Sequence, residues 1–514
     1  MLIDNFLKNS ASKYPDKTAI IHGNTRMTYS ELLAISLNLA AALQGYGLRR
    51  GDRIIIALNN SAEYLIAYFG VQLAGGIVVA VNPDIKPRGL HKITADCKPS
   101  GIITNTGLIK LLEADKEKYP FSFILLHGES KTDGADNIPI YSFNECCKHE
   151  GSVDTVDRAE TDIASIIYTS GTTGEPKGVM LMHKNLMANA HSIVNYLSLS
   201  EKDSVMVVLP FYYSYGNSLL LTHIMQGGTL VVDNRFMYPN VVLESMVREK
   251  VTGFAGVPST FAILLNRSNL KSCPLPSLRY ITQAGGPMPH VMANEILKAV
   301  PHAKLYIMYG QTEASARLSY LPPDDLYRKH GSVGKAIPGV TLHVLNEKNE
   351  QVKPGETGEI VAEGKNIMAG YWGKTEESAK ILRNGRLYTG DMATVDEEGY
   401  IYILSRKSDM IKSGAHRIAP REIEEVILEH PNVFEAAVVG MEDAILGEAI
   451  HAYVVLKDGC ICTEKELMRW CHENLPTYKI PKSFHFAESL PKTESGKIKK
   501  HELKKNYSPI EVSI

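Results

Sequence analysis

The chain has 514 residues, which is too long for one ordinary core, so we expect it to divide into two or more domains. Its 44% hydrophobic and 22% charged residues are typical of an ordered globular protein, and a net charge of −2 excludes the strongly basic surface of a nucleic-acid or anionic-membrane binder. The seven cysteines lack metal-site spacing, which predicts free thiols. The sequence shows no signal-peptide pattern and no apolar run of about 18 residues, which predicts a cytoplasmic protein without a membrane span.

Helix-like and strand-like segments alternate from the N-terminus onward. Apolar residues at helical spacing predict helices over Glu31–Gln44 and Ala62–Leu73, and short apolar runs predict strands over Arg53–Leu58 and Gly76–Val81. Further buried strands are predicted at Ile102–Ile103, Phe123–Leu126, Ser204–Leu209, Thr229–Val232, Arg279–Thr282 and Lys304–Met308. Alternation of this kind favours an α/β fold with largely parallel sheets.

The pattern changes after Gly339. Short alternating strands separated by turns predict a β-rich subdomain over about 339–404. Beyond a polar segment, two helices and two strands predict a compact α+β domain, at Pro420–Glu429, Val433–Val439, Ala449–Leu456 and Thr463–Asn474. We therefore divide the chain into an N-terminal domain at 1–404, a hinge at 405–408 and a C-terminal domain at 409–514.

The most informative segment is a glycine loop that follows a predicted strand. The apolar run Ile163–Ile167 leads into Tyr-Thr-Ser-Gly-Thr-Thr-Gly-Glu-Pro-Lys-Gly, from Tyr168 to Gly178. Backbone N–H groups of such a loop can converge on one anion, and its hydroxyls and lysine add donors. No Gly-Lys-Ser/Thr ends the loop, which disfavours a P-loop kinase. The segment predicts a grip for a triphosphate.

Four further motifs follow it, and each alone could be a plain loop or turn. They are Tyr309–Ala314 (Tyr-Gly-Gln-Thr-Glu-Ala), Tyr388–Asp391 (Tyr-Thr-Gly-Asp), Arg406 with Asp409 before Gly414 and Pro420–Glu424, and Pro491–Lys499. The first follows a predicted strand, where ligands of open α/β sheets bind. Tyr309 can stack on a purine, and Glu313 offers a hard oxygen ligand to Mg²⁺. Asp391, read as following a turn, can accept from two ribose hydroxyls.

Together and in this order, the five motifs resemble those of the adenylate-forming superfamily, which includes acyl-CoA synthetases, luciferases and peptide-synthetase adenylation domains. The resemblance covers essentially the whole chain. It implies a large N-terminal domain of stacked, mostly parallel sheets with helices, and a small mobile α+β C-terminal domain. It also implies a reaction in which ATP and Mg²⁺ activate a carboxylic acid to an acyl-adenylate with release of pyrophosphate, followed by transfer to the thiol of CoA.

The same resemblance implies roles for individual residues. Lys497 would bridge the substrate carboxylate and the α-phosphate, and Thr312 and Glu313 would serve the α-phosphate and Mg²⁺, with Thr173 as a weaker second ligand. The C-terminal domain would turn about Ser408 between the half-reactions and bring Gly414 and Ala415 to the thiol path. The nucleotide would be held by Thr169, Ser170, Gly171, Thr172, Thr173, Gly174, Lys177, Gly285, Gly286, Pro287, Tyr309, Gly310, Gln311, Asp391 and Arg406.

The acyl pocket of such an enzyme would mix apolar and small polar groups, drawn from Tyr213, Asn217, Val257, Ala284, Gly285, Gly310 and Ser315. That mixture predicts an uncharged fatty or aryl acid as the substrate. No acid occurs from Phe211 to Leu221, which argues against α-amino acids because their ammonium group would be buried unpaired. Relatives commonly carry His at the position of Tyr213, and some carry a second Gly at that of Ala415. At Ser408 they usually carry Asp or Lys.

The acceptor and the assembly remain open at this stage. We favour CoA, and the runner-up is the phosphopantetheine arm of an acyl carrier protein, kept open by Ala415, Tyr213 and a Lys-rich tail of Lys497, Lys499, Lys500, Lys504 and Lys505. A nucleotide-binding sensor without turnover is a third reading. The presence of Lys497 counts against it, because a pure binder would not need that residue. A homodimer is compatible with the sequence.

Overall fold

The computed structural model describes residues 1–114, 119–128, 138–170, 175–413, 416–443, 446–493 and 498–505. Its helices are, in chain order, α1 (Asp4–Lys13), α2 (Tyr29–Gly45), α3 (Ala62–Leu73), α4 (Pro87–Cys97), α5 (Thr106–Ala114), α6 (Phe143–Cys146), α7 (His183–Leu197), α8 (Ser214–Gln226), α9 (Pro239–Arg248), α10 (Pro258–Arg267), α11 (His290–Ala299), α12 (Thr375–Ile381), α13 (Pro420–Leu428), α14 (Glu464–Asn474) and α15 (Lys500–Lys505).

The strands form four sheets. In chain order they are β1 (Thr18–His22), β2 (Thr25–Thr28), β3 (Arg53–Ala57), β4 (Ile77–Ala80), β5 (Gly101–Asn105), β6 (Phe123–His127), β7 (Ile140–Ser142), β8 (Ile163–Ser170), β9 (Pro176–Met182), β10 (Ser204–Val207), β11 (Thr229–Val232), β12 (Gly253–Gly256), β13 (Tyr280–Gln283), β14 (Lys304–Tyr309), β15 (Ser319–Leu321), β16 (Lys335–Ala336), β17 (Val340–Leu345), β18 (Gly358–Gly364), β19 (Gly370–Tyr371), β20 (Leu382–Arg383), β21 (Arg386–Val395), β22 (Ile401–Arg406), β23 (Ile411–Ser413), β24 (His416–Ile418), β25 (Val433–Asp443), β26 (Gly447–Leu456) and β27 (Ser483–Phe486).

Two large sheets make the body of the protein, with strand orders β16-β15-β14-β13-β12-β10-β11-β1-β2 and β19-β9-β8-β4-β3-β5-β6-β7. Their central strands pair in parallel, and antiparallel pairing is confined to one end or both ends of each sheet. Their short apolar strands suit sheets covered on both faces. One core cluster joins α2, α3 and α8 to strands of both sheets. The predicted α/β architecture is therefore confirmed.

Helix starts in this body agree with local sequence signals. Thr28 caps α2 by accepting from the backbone N–H of Glu31, while the Glu31 carboxylate accepts from the backbone N–H of Thr28. Ser61 caps α3 by accepting from the backbone N–H of Tyr64. These caps satisfy N–H groups that a helix cannot pair internally. Two of the predicted helices therefore begin close to where the sequence places them.

The two smaller sheets lie in the second half of the chain. The first has the order β17-β18-β21-β20 with β22 on β21, and it is antiparallel, as the predicted β-rich subdomain requires. The second has the order β24-β23-β26-β25 with β27 on β26. Helices α13 and α14 cover this sheet through Ile423, Ile427, Leu467 and Cys471. The predicted β-rich and α+β segments are both present.

Three local predictions differ from the structure. Asp391 does not follow a turn: it lies inside β21, where Gly390 has φ +75° and the pairing register shifts, so an irregular strand gives a turn-like sequence. The sequence predicts one loop over Tyr168–Gly178, but its last residues, Pro176–Gly178, open the strand β9, which runs antiparallel to β8. The strand β12 was not predicted because glycines bound its four residues, although it pairs in the middle of a sheet.

The predicted hinge at 405–408 overlaps a strand. Ser405 and Arg406 belong to β22 and pair with Met392 and Asp391, while Lys407 and Ser408 lie beyond it and are exposed. The domain boundaries themselves stay a prediction. All seven cysteines carry free thiols, as predicted. Within the described part of the chain, no helix has the length and apolar character needed to span a membrane.

Candidate active site

Three motif residues that are far apart in sequence meet at one carboxylate. Tyr309 ends β14, Asp391 lies in β21, and Arg406 ends β22, directly opposite Asp391 in the strand register. The Tyr309 hydroxyl donates to Asp391 Oδ2 at 2.6 Å, and Arg406 Nε lies 2.8 Å from Asp391 Oδ1. Burial and the neighbouring carboxylate raise the pKa of Tyr309 well above its usual value, so its hydroxyl keeps the proton that it donates. Both carboxylate oxygens of Asp391 are thus held, one by a hydroxyl and the other by a guanidinium.

A second carboxylate, Glu313, lies on the 3-10 turn Thr312–Ala314 that follows β14. Its Oε1 accepts from the hydroxyl of Tyr371 at 2.8 Å. Burial and Glu313 both raise the pKa of Tyr371, which keeps this hydroxyl a donor. Tyr371 belongs to β19, which pairs with β9 through Val179. This contact therefore joins the acidic turn to the hairpin that carries the glycine loop.

The described ends of the glycine-loop segment belong to β8 and β9, where Thr169 pairs with Lys177 and Ser170 with Pro176. Lys177 Nζ lies 2.5 Å from Glu377 Oε2 and 5.2 Å from the centroid of the Tyr371 ring. The base of the loop is therefore close to the Glu313–Tyr371 contact. The predicted residues Gly171, Thr172, Thr173 and Gly174 lie outside the described residues, as does the side chain of Ser170.

Main-chain geometry shapes the segment after β13. Gly285 has φ +90°, in the region that favours glycine, and a Cβ there would lie 3.1 Å from Val257 Cγ1. Gln283 Nε2 donates to the carbonyl of Gly286 at 2.8 Å, which fixes the turn from inside the core. A cavity beside this turn is lined by Gly286, Pro287, Met288, Met308, His330 and Arg421. A flat ring could lie against exposed main chain at such a turn.

The C-terminal domain reaches this cavity through Arg421. This residue belongs to the Pro420–Glu424 motif, but no role was predicted for it from the sequence. Arg421 Nη1 donates to the carbonyl of Ile403 at 2.8 Å, and Nη2 donates to that of Gly331 at 3.2 Å. Its signal in the sequence was its place at the start of a predicted helix just after the hinge. The side chain therefore ties α13 to the β-rich sheet and to the cavity rim.

The predicted acyl-pocket residues lie within or next to α8, α10, β13 and β14. Tyr213 is the residue immediately before α8, and Asn217 is buried within that helix with no hydrogen bond to its Oδ1 from the described residues. The Ser315 hydroxyl donates to the carbonyl of Asn366 at 2.7 Å and is thus already engaged. Thr312 Oγ1 lies 3.1 Å from the Oγ of Ser214, the first residue of α8. These residues mix apolar and small polar side chains, and their part in an acyl pocket stays a prediction.

One residue of this region was missed by the sequence analysis. Arg317 is only 3% exposed, and its guanidinium carbon lies 3.9 Å from the centroid of the Tyr215 ring. Its Nε lies 3.3 Å from Met308 Sδ, and its Nη1 donates to the carbonyl of Ala316 at 3.2 Å. The sequence offered one signal for it: an arginine stands between the apolar residues Ala316 and Leu318, three residues after the Tyr309–Ala314 motif.

Some predicted residues cannot be placed. Lys497, Gly414 and Ala415 lie outside the described residues; the strands β23 and β24 flank the last two. Ser408 is exposed, with its Oγ 3.1 Å from Asp409 Oδ1. In the described ranges, no group of three or more His, Cys, Asp or Glu could hold a metal ion. A Mg²⁺ ion at Glu313 would therefore need phosphate oxygens as further ligands, which is its usual habit.

Comparison with known proteins identifies the family. The model for AMP-binding enzymes matches residues 7–372, and that for the C-terminal domain of AMP-binding enzymes matches 422–497. Long-chain-fatty-acid–CoA ligase from Bacillus subtilis is 34% identical, over 98% of this chain and 94% of its own length. Feruloyl-CoA synthase from Amycolatopsis sp is 32% identical, over 96% of each chain.

Solved structures agree with this match. o-Succinylbenzoate CoA synthetase from Bacillus subtilis, in complex with its acyl-adenylate intermediate, is 31% identical with a TM-score of 0.84, over 97% of this chain and 98% of its own. Anthranilate CoA ligase AuaEII, in complex with anthranoyl-AMP, is 27% identical with a TM-score of 0.90, over 98% of this chain and 97% of its own. This chain therefore belongs to the AMP-binding enzyme family, and it is an AMP-forming acid–thiol ligase of the acyl-CoA synthetase type.

Proposed function

We propose that this enzyme activates a fatty or aryl carboxylic acid with ATP and then transfers the acyl group to CoA. In the first step a substrate carboxylate oxygen attacks the α-phosphorus, and the bond to pyrophosphate breaks. In the second, the CoA thiolate attacks the acyl carbon, and AMP leaves. The observation that carries this proposal is the meeting of Tyr309, Asp391 and Arg406 beside the Glu313–Tyr371 contact at the base of a glycine loop.

The nucleotide roles follow from these contacts. Asp391, oriented by Tyr309 and Arg406, would accept from the ribose hydroxyls, and the Tyr309 ring would face adenine across the main chain of Gly285–Pro287. Glu313 would hold Mg²⁺ through a carboxylate of which Tyr371 engages one oxygen. The ion supplies charge neutralisation at the phosphates when bound. Positioning and charge stabilisation then suffice for phosphoryl chemistry, with Lys497 closing the site.

The substrate is expected to lack an ammonium group. The sequence predicts an uncharged acid, and this rests on the absence of any acid from Phe211 to Leu221. That absence argues only against a positive charge, because an unpaired buried ammonium is costly. The apolar residues Ala284 and Met308 pack in one cluster beside Tyr215, which supports a pocket for a hydrocarbon or aryl group.

Charge pairing of the tail supports CoA over a carrier protein as acceptor. Lys500 Nζ lies 2.6 Å from Glu424 Oε1, Lys499 Nζ lies 2.9 Å from Glu502 Oε1, and Lys504 Nζ lies 3.8 Å from Glu448 Oε1. An acidic carrier would have to compete with these glutamates for the tail. Carrier loading therefore remains the alternative, and the tail gives it little support.

The small domain is proposed to move between the two half-reactions. Besides Arg421, two long polar contacts among the described residues link it to the body: His290 Nδ1 with Glu429 Oε1 at 3.8 Å, and Arg267 Nη2 with Asp458 Oδ2 at 3.5 Å. Exposed contacts of this kind contribute little free energy. A turn about Ser408 would break few interactions.

Pyrophosphate release over a panel of acids tests the proposal. The panel holds fatty acids, aryl acids and α-amino acids, and it is run without acceptor, then with CoA, then with phosphopantetheinylated carrier proteins. We expect fatty or aryl acids to drive release and CoA to raise turnover most. Fastest release with an amino acid would contradict the pocket assignment. A strong preference for a carrier would overturn CoA and leave adenylation standing.

A further inference from the structure

The buried guanidinium of Arg317 has no counter-charge among the described residues. Its hydrogen bonds in the described ranges go to the thioether sulfur of Met308, the carbonyl of Ala316 and the hydroxyl of Tyr196, all of them uncharged, and no carboxylate there pairs with it. Arginine stays protonated in proteins, so this is a permanent positive charge at 3% exposure. Buried charges are normally paired, because removing an isolated ion from water is costly.

We propose that Arg317 binds a second carboxylate at the distal end of the acyl substrate, so that the preferred acid is a dicarboxylic acid. This inference rests on the proposed function, since it places the group inside the acyl pocket. A carboxylate matches the planar fork of a guanidinium and can accept two hydrogen bonds from it. An ordinary fatty acid would leave the charge desolvated and unpaired.

The position of Arg317 in the fold supports this assignment. A Cβ placed on Gly310, a predicted pocket residue, would lie 2.8 Å from Arg317 Cα and 2.0 Å from the carbonyl oxygen of Ala316. Met308 Sδ contacts the guanidinium from β14, and Tyr215 covers one face of it from α8. The main chain of Arg317 therefore packs against Gly310, and its guanidinium lies beside Tyr215 on α8, the helix that also carries the predicted pocket residue Asn217.

The main chain around Arg317 is held firmly. Its carbonyl accepts from Asn189 Nδ2 at 3.1 Å and from Asn366 Nδ2 at 2.9 Å. The two preceding residues have positive φ, +57° at Ser315 and +118° at Ala316, which non-glycine residues rarely adopt. These contacts turn the chain so that the arginine side chain lies inside the protein rather than in solvent.

Stacking on an aromatic ring is the competing explanation, and Arg279 shows what it looks like here. Arg279 stacks on Tyr280 at 4.9 Å, yet it also bonds to the Asp203 carboxylate at 2.9 Å. It is thus paired as well as stacked, and part of its side chain reaches solvent. Arg317 is more deeply buried, and within the described residues it contacts the ring and uncharged groups without a carboxylate. Stacking alone does not neutralise a charge, and this difference points to a ligand.

ATP–pyrophosphate exchange with matched acids tests the proposal. Hexanoate is compared with hexanedioate, and octanoate with octanedioate, in the wild-type enzyme and in R317M, R317K and R279M. We expect the wild type to prefer each diacid. R317M, which keeps the length of the side chain and removes the charge, should lose at least about a hundredfold in kcat/KM for diacids and gain activity with monoacids. The ratio of diacid to monoacid activity in R317K should lie between those of the wild type and R317M, because lysine keeps the charge and loses the planar fork of the guanidinium.

R279M is the matched control, and it should leave the ratio of diacid to monoacid activity unchanged. The KM for ATP should also be unchanged in R317M, which separates lost recognition from lost structure. A wild-type preference for monoacids, or the same ratio in R317M, would overturn the proposal. Should R317M fail to fold, the wild-type preference and the R317K ratio decide. If none of the acids supported exchange, the result would count against the proposed function. Thermal unfolding of the wild type with and without diacids would then still show whether a diacid binds at Arg317.

Discussion

Replacing Asp391 by Asn gives the sharpest test of the nucleotide site. The carboxylate is 7% exposed, accepts from the Tyr309 hydroxyl at 2.6 Å and pairs with Arg406 at 2.8 Å. An amide keeps one acceptor oxygen instead of two and carries no charge. If Asp391 also accepts from the ribose, D391N loses one charge-assisted hydrogen bond to the nucleotide, worth about 1.5–3 kcal/mol. The Kd for AMP should therefore rise by about tenfold to a hundredfold.

Isothermal titration of AMP measures this, with Asp396→Asn as the matched control. Asp396 has the same ionic character, since its Oδ2 lies 2.7 Å from Lys329 Nζ, and it follows β21 instead of lying inside it. Both variants should lower the free energy of unfolding, because each removes the carboxylate of an ion pair, although Lys329 keeps its contact with Glu398 at 2.6 Å in the control. Only D391N should weaken AMP binding. Wild-type affinity in D391N, or equal weakening in the control, would refute the ribose assignment.

Four further outcomes are expected. Lys497→Ala should slow adenylate formation by about a hundredfold or more and retain thioester formation from pre-made adenylate; equal loss of both rates, measured separately, would contradict the role of Lys497. Ser408→Pro should slow thioester formation while pyrophosphate exchange persists, because proline fixes φ at the proposed hinge, whereas Ser408→Ala should change neither rate. Gly310→Ala should abolish soluble protein or sharply lower the Tm, because its Cβ would lie 2.0 Å from the Ala316 oxygen; Gly45→Ala, with nothing within 4 Å, should be neutral or stabilising. Burial lowers the pKa of His223 from 6.5 to about 4, so the unfolded chain binds a proton at this residue first as the pH falls. The free energy of unfolding should therefore drop by roughly 3 kcal/mol between pH 6.5 and 4. Denaturant unfolding measured across that range should show a weaker dependence of this free energy on pH in His223→Gln.

Much of the site was predictable because its chemistry is written in short segments. A loop of glycines and hydroxyls after a strand indicates phosphate binding whatever lies around it, and a Tyr-Gly-Gln-Thr-Glu-Ala run at a strand end indicates a ligand-facing turn. Helices such as α2 and α3 were predictable from apolar spacing and from capping residues next to them. These signals act over one or two turns of chain, so the sequence carries them directly.

Local sequence also misled at particular places. Asp391 resembled a turn residue because Gly390 precedes it, while β21 continues through both. The four residues of β12 gave no strand pattern, since a glycine at each end hid a segment that its neighbours hold in the sheet. In both cases pairing with adjacent strands outweighed the intrinsic preference of the residues.

The sequence by itself determined the family, the chemistry and the residue types that the reaction needs. Only the tertiary structure decided which groups meet: Tyr371 on Glu313, Tyr309 and Arg406 on Asp391, and the tail lysines on glutamates of the same domain. It alone showed that Arg317 is buried beside Tyr215 without a described counter-charge. The physical reason is that burial and ion pairing depend on contacts between residues far apart in the chain, and the periodicity of a short segment does not encode them.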